Sequence, residues 1–411
     1  MPANTDGGVG RRIAYYRSVV RPKMTQQGLA DAACVALGTI RKIERGERGV
    51  GDDTLRAIAD ALGVDLVRLR HDRGTAHSQA RAGLPALSAA IAAYDCPDDG
   101  PVRSVSELRD AVDTAVKWRL GAQYARIVRD LPDLLTELTR AYHMAAEGGR
   151  TELAQLLVSA YRCADAAAYK LGAHDLSARL IELMRWATAV AEDPLLTASV
   201  AYVRTETFFA ARAHAAGLRA LRQAIDTAPA PTTAVERAAR GALHMRAAVI
   251  AGGRAKDVDA AVAHLSDAEC LGEQVTEDVY YGTAFGPDSV RIHQVSVAVS
   301  LGGDHVSAAL GITHEWKPPT SLAAERRSGF YIELARAQLW AGMPDSAFES
   351  LKVARRIAPQ HTRDHPWVRE DAPAPAPRRL GDSDVLRGVV RCNLSTGGSQ
   401  VPLAGVLVTF P

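Results

Sequence analysis

Cysteine is scarce and scattered in this sequence. Cys34, Cys96, Cys163, Cys270 and Cys392 are odd in number and far apart. No C-x-x-C pair and no Cys/His cluster with ligand spacing occurs, which argues against a disulfide scaffold and a sequence-local metal site. Reduced thiols, no metal and no cofactor are expected. Long apolar runs are missing too: nothing reaches the roughly 18 residues a membrane helix needs. The opening stretch, MPANTDGGVG, lacks the apolar segment of a signal peptide. A cytoplasmic protein with no membrane partner is expected. Catalytic signatures are also absent. There is no P-loop, no G-x-S-x-G and no H-E-x-x-H, and His314-Glu315 lacks a second histidine at ligand spacing. The expectation is that the chain is not an enzyme.

Charge of one sign is lacking overall, at +2 for 411 residues, but it is unevenly spread. Residues 1–73 carry a net +4 and the remainder −2. A modestly basic head on a near-neutral body suits a DNA reader joined to a sensing or assembly domain.

The richest stretch is TQQGLADAACVALGTIRKIERG, residues 25–46. Thr25 is suited to cap a helix that Gln26, Gln27, Leu29 and Ala30 continue. A turn near Cys34 leads into a second helix over 37–44. Ile40 and Ile43 form its buried edge, while Thr39, Arg41, Lys42 and Arg45 stay outside. Gly46 stops it. Residues 53–62 read as a further helix, with Leu55, Ile58, Ala59 and Leu62 at i, i+3, i+4 and i+7. A short helix over 65–69 closes the bundle.

This ordered set resembles the helix-turn-helix domain of the XRE family, related to the Cro and CI phage repressors, over roughly residues 9–70. The resemblance implies that Gln26 binds a phosphate or base edge at the start of the second helix, with Gln27 beside it. It implies that Leu37, Gly38, Arg41 and Lys42 face the DNA groove and that Thr39 touches the backbone. Arg41 and Lys42 are the long donors, and arginine suits guanine O6 and N7. Glu44 matches a residue that pairs with an arginine of the first helix, here Arg17, to orient the recognition helix. Arg45 and Arg48 are expected along the phosphates. Two departures stand out. Cys34 occupies a turn position usually held by glycine, costing about 1 kcal/mol if left-handed. The loop between Arg17 and Gln26 is also longer than usual.

Residues 74–105 read as a polar linker with a short helix near 86–94. From about 106 to 370 the pattern is almost continuously helical, broken at Glu147-Gly148-Gly149, Leu171-Gly172, Glu192-Asp193-Pro194, 228–231, Ala251-Gly252-Gly253, Leu301-Gly302-Gly303 and 341–344. Such spacing suggests paired helical repeats. Tyr331, Leu334, Ala335, Ala347, Leu351, Ala354 and Pro359 fit a tetratricopeptide pattern. Weaker units run through Ile292, Val295, Ser296, Val299, Ala308 and Ile312, and through Tyr161, Ala164, Ala168, Ile181 and Met184. The region resembles degenerate tetratricopeptide repeats fused to XRE domains in actinobacterial regulators. The expected fold is all-α: a five-helix head, a tetratricopeptide-like α-solenoid, and an irregular Pro-rich tail over 371–411.

A solenoid offers a face for ligands or for self-association. Arg204, Phe208, His244, Arg291, His293 and Gln294 are the candidate effector-binding residues on inner helices. Tyr280, Tyr281 and Phe285 form the densest aromatic cluster, in a loop before a helix, expected to pack on the next repeat, the alternative being the lip of a ligand site. The resulting expectation is a homodimeric, sequence-specific transcriptional regulator that binds double-stranded DNA and senses a peptide or small molecule. The alternative is a protein-interaction scaffold whose head is structural.

Overall fold

The computed structural model describes residues 7–19, 24–64, 69, 80–255, 257–365 and 367–368. Contacts divide the chain into two compact units, Met1–Gln79 and Ala80–Pro411. Among the described residues both are helical, apart from one two-stranded hairpin in the second.

The first unit contains α1 (Gly7–Val19), α2 (Gln26–Ala32), α3 (Leu37–Glu44) and α4 (Asp52–Leu62). Thr25 Oγ1 accepts the Gly28 amide at 2.9 Å and satisfies a donor that the first turn of α2 leaves orphaned. Leu29, Ala30, Ile40, Ile43, Leu55, Ile58, Ala59 and Leu62 join Ile13 of α1 in a single apolar cluster. The i, i+3, i+4, i+7 spacing thus becomes one buried face of α4, and Gly63 closes that helix at φ 60°. Leu69 is buried in the same cluster and its carbonyl accepts Arg12 Nε at 2.8 Å. Residues 65–68 of the expected closing helix, the long loop at 20–23 and the tail over 371–411 lie outside the described residues.

The second unit begins with α5 (Leu84–Ala92), α6 (Val105–Leu120), α7 (Tyr124–Met144) and α8 (Glu147–Lys170). It continues with α9 (His174–Ala191), α10 (Pro194–Ala210), α11 (His214–Thr227) and α12 (Ala234–Ile250). A π-helical turn (Ala251–Ala255) leads to α13 (Val258–Gly272), then strands β1 (Asp278–Tyr280) and β2 (Thr283–Phe285). The last elements are α14 (Pro287–Leu301), α15 (His305–Glu315), α16 (Ala324–Trp340), α17 (Pro344–Ile357) and α18 (Pro359–Asp364). From α6 onward each helix packs on the next. Second-neighbour contacts run along α6, α8, α10, α12, α14, α16 and α18, which form an inner row flanked by the odd-numbered helices. This is a stack of helix pairs whose buried apolar residues form three clusters along the chain.

Several local expectations need correction. The second half of the expected linker is packed structure: Leu87 and Ile91 of α5 are buried in the main core, and Arg140 of α7 holds the carbonyls of Asp98 and Pro101. The break expected at Glu147-Gly148-Gly149 falls just before it, at Ala145-Ala146, and the two glycines lie in the first turn of α8. Ala251-Gly252-Gly253 widens into the π-helical turn instead of a loop. Ala308 is exposed, and its neighbour Ala309 fills the small packing position on α15. The loop carrying Tyr280, Tyr281 and Phe285 is a hairpin pairing Asp278 with Phe285 and Tyr280 with Thr283. Its two turn residues, Tyr281 and Gly282, have φ 46° and 73°. Arg162 donates to the Tyr281 carbonyl at 2.7 Å and Arg119 to that of Gly282 at 2.8 Å, so two buried arginines hold a turn whose first residue disfavours it. Phe285 is fully buried, with its ring over Gly241.

Two substitutions separate close packing from open space. A methyl group at Gly10 would collide with the Ile43 carbonyl, whereas one at Gly38 meets nothing within 4 Å. Chemical unfolding of the full chain should show Gly10→Ala destabilising the first unit by about 1–3 kcal/mol or more. Gly38→Ala should stabilise it by about 0.5–1 kcal/mol.

The second unit carries an unusual pH dependence at Glu333. This fully buried carboxyl accepts from Arg336 at 2.9 Å, and burial pushes it up to about 7. A carboxyl raised on folding contributes stability below its unfolded value near 4.5, and that contribution is lost as pH rises towards 7. Between about pH 5 and pH 7.5, urea unfolding should show Glu333→Gln gaining about 1–3 kcal/mol relative to wild type.

Candidate nucleic-acid interface

The candidate DNA-contacting helix, α3, is built from its buried edge outward. Ile40 and Ile43 lock α3 into the apolar cluster, which leaves Gly38, Arg41 and Lys42 exposed on the other side. Leu37 and Thr39 are half-buried at its start. The turn from α2 to α3 passes through Cys34 at φ 52°, so the side chain does occupy the left-handed position. Amides of Cys34 and Val35 close it onto the Asp31 and Ala30 carbonyls at 3.2 and 2.9 Å.

A carboxylate fixes the far end. Glu44, the last residue of α3, accepts Arg17 Nε at 2.7 Å and Nη2 at 3.1 Å, a bidentate pair. Arg17 Nη1 also reaches the Met24 carbonyl at 3.1 Å. Gln26 Nε2 donates to the same carboxylate at 2.7 Å. The Arg17 and Glu44 side chains are 17% and 6% exposed, so solvent screening is weak. The hydrogen bond that Arg17 donates to Glu44 is the main reason its guanidinium is held above its ordinary value. A negative charge at a helix C-terminus opposes the macrodipole, and the two donors compensate it. Gln26 therefore ties α2 to α3 in this conformation, although the resemblance implied a phosphate or base contact for it.

The remaining candidates surround this framework. Gln27 is exposed and bonded to Asp31 at 2.7 Å. Arg45 lies 3.0 Å from Glu47, a pair more than half exposed on both sides and cheap to break. Arg41, Lys42 and Arg48 are exposed and have no ion pair among the described residues. The exposed ridge therefore presents cations that a partner can take without first breaking buried interactions.

The candidate effector residues of the second unit do not converge. Arg204 lies over the Phe208 ring at 5.4 Å, and Arg291 over Trp316 at 5.8 Å. Gln294 bonds Glu269 at 3.2 Å. His293 is fully buried, against the Ser289 carbonyl at 2.8 Å and Arg326 at 3.4 Å, and burial holds its imidazole well below the ordinary range. His244 is also buried, but facing His264 of α13.

Sequence reading missed the charged set that does converge. The inner row buries Arg162, Asp165, Lys170, Glu206, Arg246, Glu325 and Arg326. Arg246 lies 3.7 Å from Glu206 and over the Tyr202 ring at 4.2 Å. Lys170 lies 3.6 Å from Glu325, which also accepts Tyr124 Oη at 2.6 Å. Burial and the neighbouring Glu206 push the Asp165 carboxyl well up. Burial, with Arg119 alongside, pulls the Arg162 guanidinium down to about 9. A small recess beside this set is lined by Ser199 and Tyr202 of α10, Ala238 and Ala242 of α12, and Tyr280, Tyr281 and Thr283 of the hairpin. Spacing in the chain gave no hint of it, because the charges come from four helices and no helix supplies more than three.

The Glu44 clamp can be tested directly. In a double-mutant cycle followed by unfolding, Glu44→Ala should cost the first unit about 2–4 kcal/mol. The coupling with Arg17→Ala should be about 1–3 kcal/mol.

Comparison with known proteins agrees with this geometry in the first unit. Residues 21–69 match the helix-turn-helix family, spanning α2 to α4. No curated protein matches the sequence. Among solved structures, the chain is similar to PlcR of Bacillus thuringiensis, solved in complex with the peptide PapR7 and DNA. That similarity has 12% identity and TM-score 0.26, over 64% of this chain and 94% of that one. It is also similar to the apo competence regulator ComR of Streptococcus vestibularis, with 13% identity and TM-score 0.28 over 87% and 96% of the two chains.

Proposed function

We propose that this chain, whose first unit carries a helix-turn-helix domain, is a sequence-specific DNA-binding transcriptional regulator. The observation that carries the reading is α3 itself. Its apolar edge is buried, its end is clamped by Arg17 and Gln26, and its opposite edge presents Gly38, Arg41 and Lys42 to solvent. A helix held this way enters the major groove as a rigid body. Arg41 and Lys42 then read base edges, Thr39 and Gln27 flank them, and Arg45 and Arg48 follow the phosphates.

The chain acts as a homodimer on two half-sites about 34 Å apart, the spacing of one helical turn. The second unit supplies self-association and senses a peptide or small molecule. Support for a sensing role comes from the buried ionic row. Ion pairs of this kind are weakly stabilising at best compared with apolar packing, so a role beyond stability accounts for them better. The tetratricopeptide-like packing of small residues fits the same role: Ala164, Ala168, Ala335, Ala347 and Ala354 are all fully buried. No described helix is long and apolar enough to cross a membrane, in keeping with a cytoplasmic regulator.

Selection from a random duplex pool, followed by titration at several salt concentrations, tests the assignment. Arg41→Ala and Lys42→Ala should each weaken the selected site by about 1–3 kcal/mol and relax its sequence preference. Arg48→Ala should weaken all duplexes alike and reduce the salt slope by about 1. If no sequence is enriched, the helical unit is better read as an interaction scaffold.

A further inference from the structure

We propose that His244, His264 and Asp267 form a binding site for a divalent first-row transition metal, joining α12 to α13. Their donor atoms all lie within 4.8 Å of one another. His264 and Asp267 are three apart on α13 and so share one face. His244 comes from the adjacent helix, across the π-helical turn.

The spacing fits a coordination shell. His244 Nδ1 lies 3.1 Å from His264 Nδ1 and 3.2 Å from Asp267 Oδ2. Zinc-type ions hold nitrogen and carboxylate oxygen at about 2.0–2.2 Å, which places neighbouring ligand atoms about 3.0–3.5 Å apart in tetrahedral or facial octahedral geometry. Two imidazoles and a carboxylate select zinc, nickel or cobalt over magnesium or calcium. His244 is buried, His264 half-buried and Asp267 exposed, so the site is anchored in protein and open to water on one side.

Without a cation the cluster is awkward. The buried His244 ring turns a single nitrogen, Nδ1, toward both the His264 ring and the Asp267 carboxylate. If His244 Nδ1 carries the proton, the lone pair of His264 and the Asp267 carboxylate compete for it. If His264 Nδ1 carries it instead, the His244 lone pair faces the carboxylate. A metal ion accepts all three electron pairs together. Arg222 and Arg240 act against a cation at this site, and Asp257 acts in its favour. Arg240 is drawn aside by the carbonyls of Ala228 and Pro229 at 2.8 and 3.2 Å.

The test uses untagged, chelator-treated full-length protein titrated with Co²⁺, read by visible ligand-field absorption. One equivalent should bind, Zn²⁺ should displace it, and the unfolding temperature should rise. His264→Gln and Asp267→Asn should each bind Co²⁺ at least about tenfold more weakly while keeping the wild-type circular dichroism spectrum. The proposal is overturned by absence of the absorption band at excess Co²⁺, or by unchanged affinity in both variants. Neither readout involves DNA, so the outcome is independent of the regulator reading.

Discussion

The carboxylate of Glu44 is the constraint on which the first unit's chemistry depends. It stands where a helix dipole disfavours it, and three nitrogen donors from two other helices hold it there. Because Arg17 also reaches the Met24 carbonyl, the end of α1, the start of α2 and the end of α3 meet at one point. The apolar cluster fixes which edge of α3 is buried, and the clamp fixes its direction. Together they leave the cationic edge nowhere to go but outward. A loosely held helix would lose entropy on docking and read bases poorly; a clamped one has been ordered by folding.

The second unit obeys a different logic. Its small residues let packed helices approach closely, as at Ala164, Ala168, Ala335 and Ala347, and they build a core with few aromatics. Into that core the chain places arginines, lysine and carboxylates that apolar residues could replace with equal or better stability. Their partners span α7, α8, α10, α12, α14 and α16, so movement of one helix pair would disturb ion pairs in the others. The row couples neighbouring helix pairs, and the hairpin, hung from Arg119 and Arg162, is joined to it directly.

Legibility tracked the range of the interactions. The α2–turn–α3–α4 segment was readable because caps, buried spacing and the left-handed positions at Cys34 and Gly63 are set within a few residues. Arg17 and Glu44 were legible through resemblance alone, since 27 positions separate them. Helix breaks at Leu171-Gly172 and Asp193-Pro194 were plain, but those at residues 121–123 and 211–213 carry no proline. There the positive φ falls on Ala122 and Arg212, neither of them a glycine, although Gly121 stands beside the first. The hairpin was hidden because its strands are three residues long and its turn relies on arginines more than a hundred positions away. His244 was singled out for its polarity on an inner helix. Its partners His264 and Asp267 were not, because their meeting is a product of helix pairing.

The central claim is that α3 is the element that contacts bases, and photo-crosslinking tests it most directly. A photoreactive residue at Gly38, where nothing lies within 4 Å, should crosslink to bases of a duplex selected by the protein, while one at exposed Asp60 of α4 should not. Crosslinking from position 60 but not from 38, or from neither on a duplex that is demonstrably bound, would contradict the account.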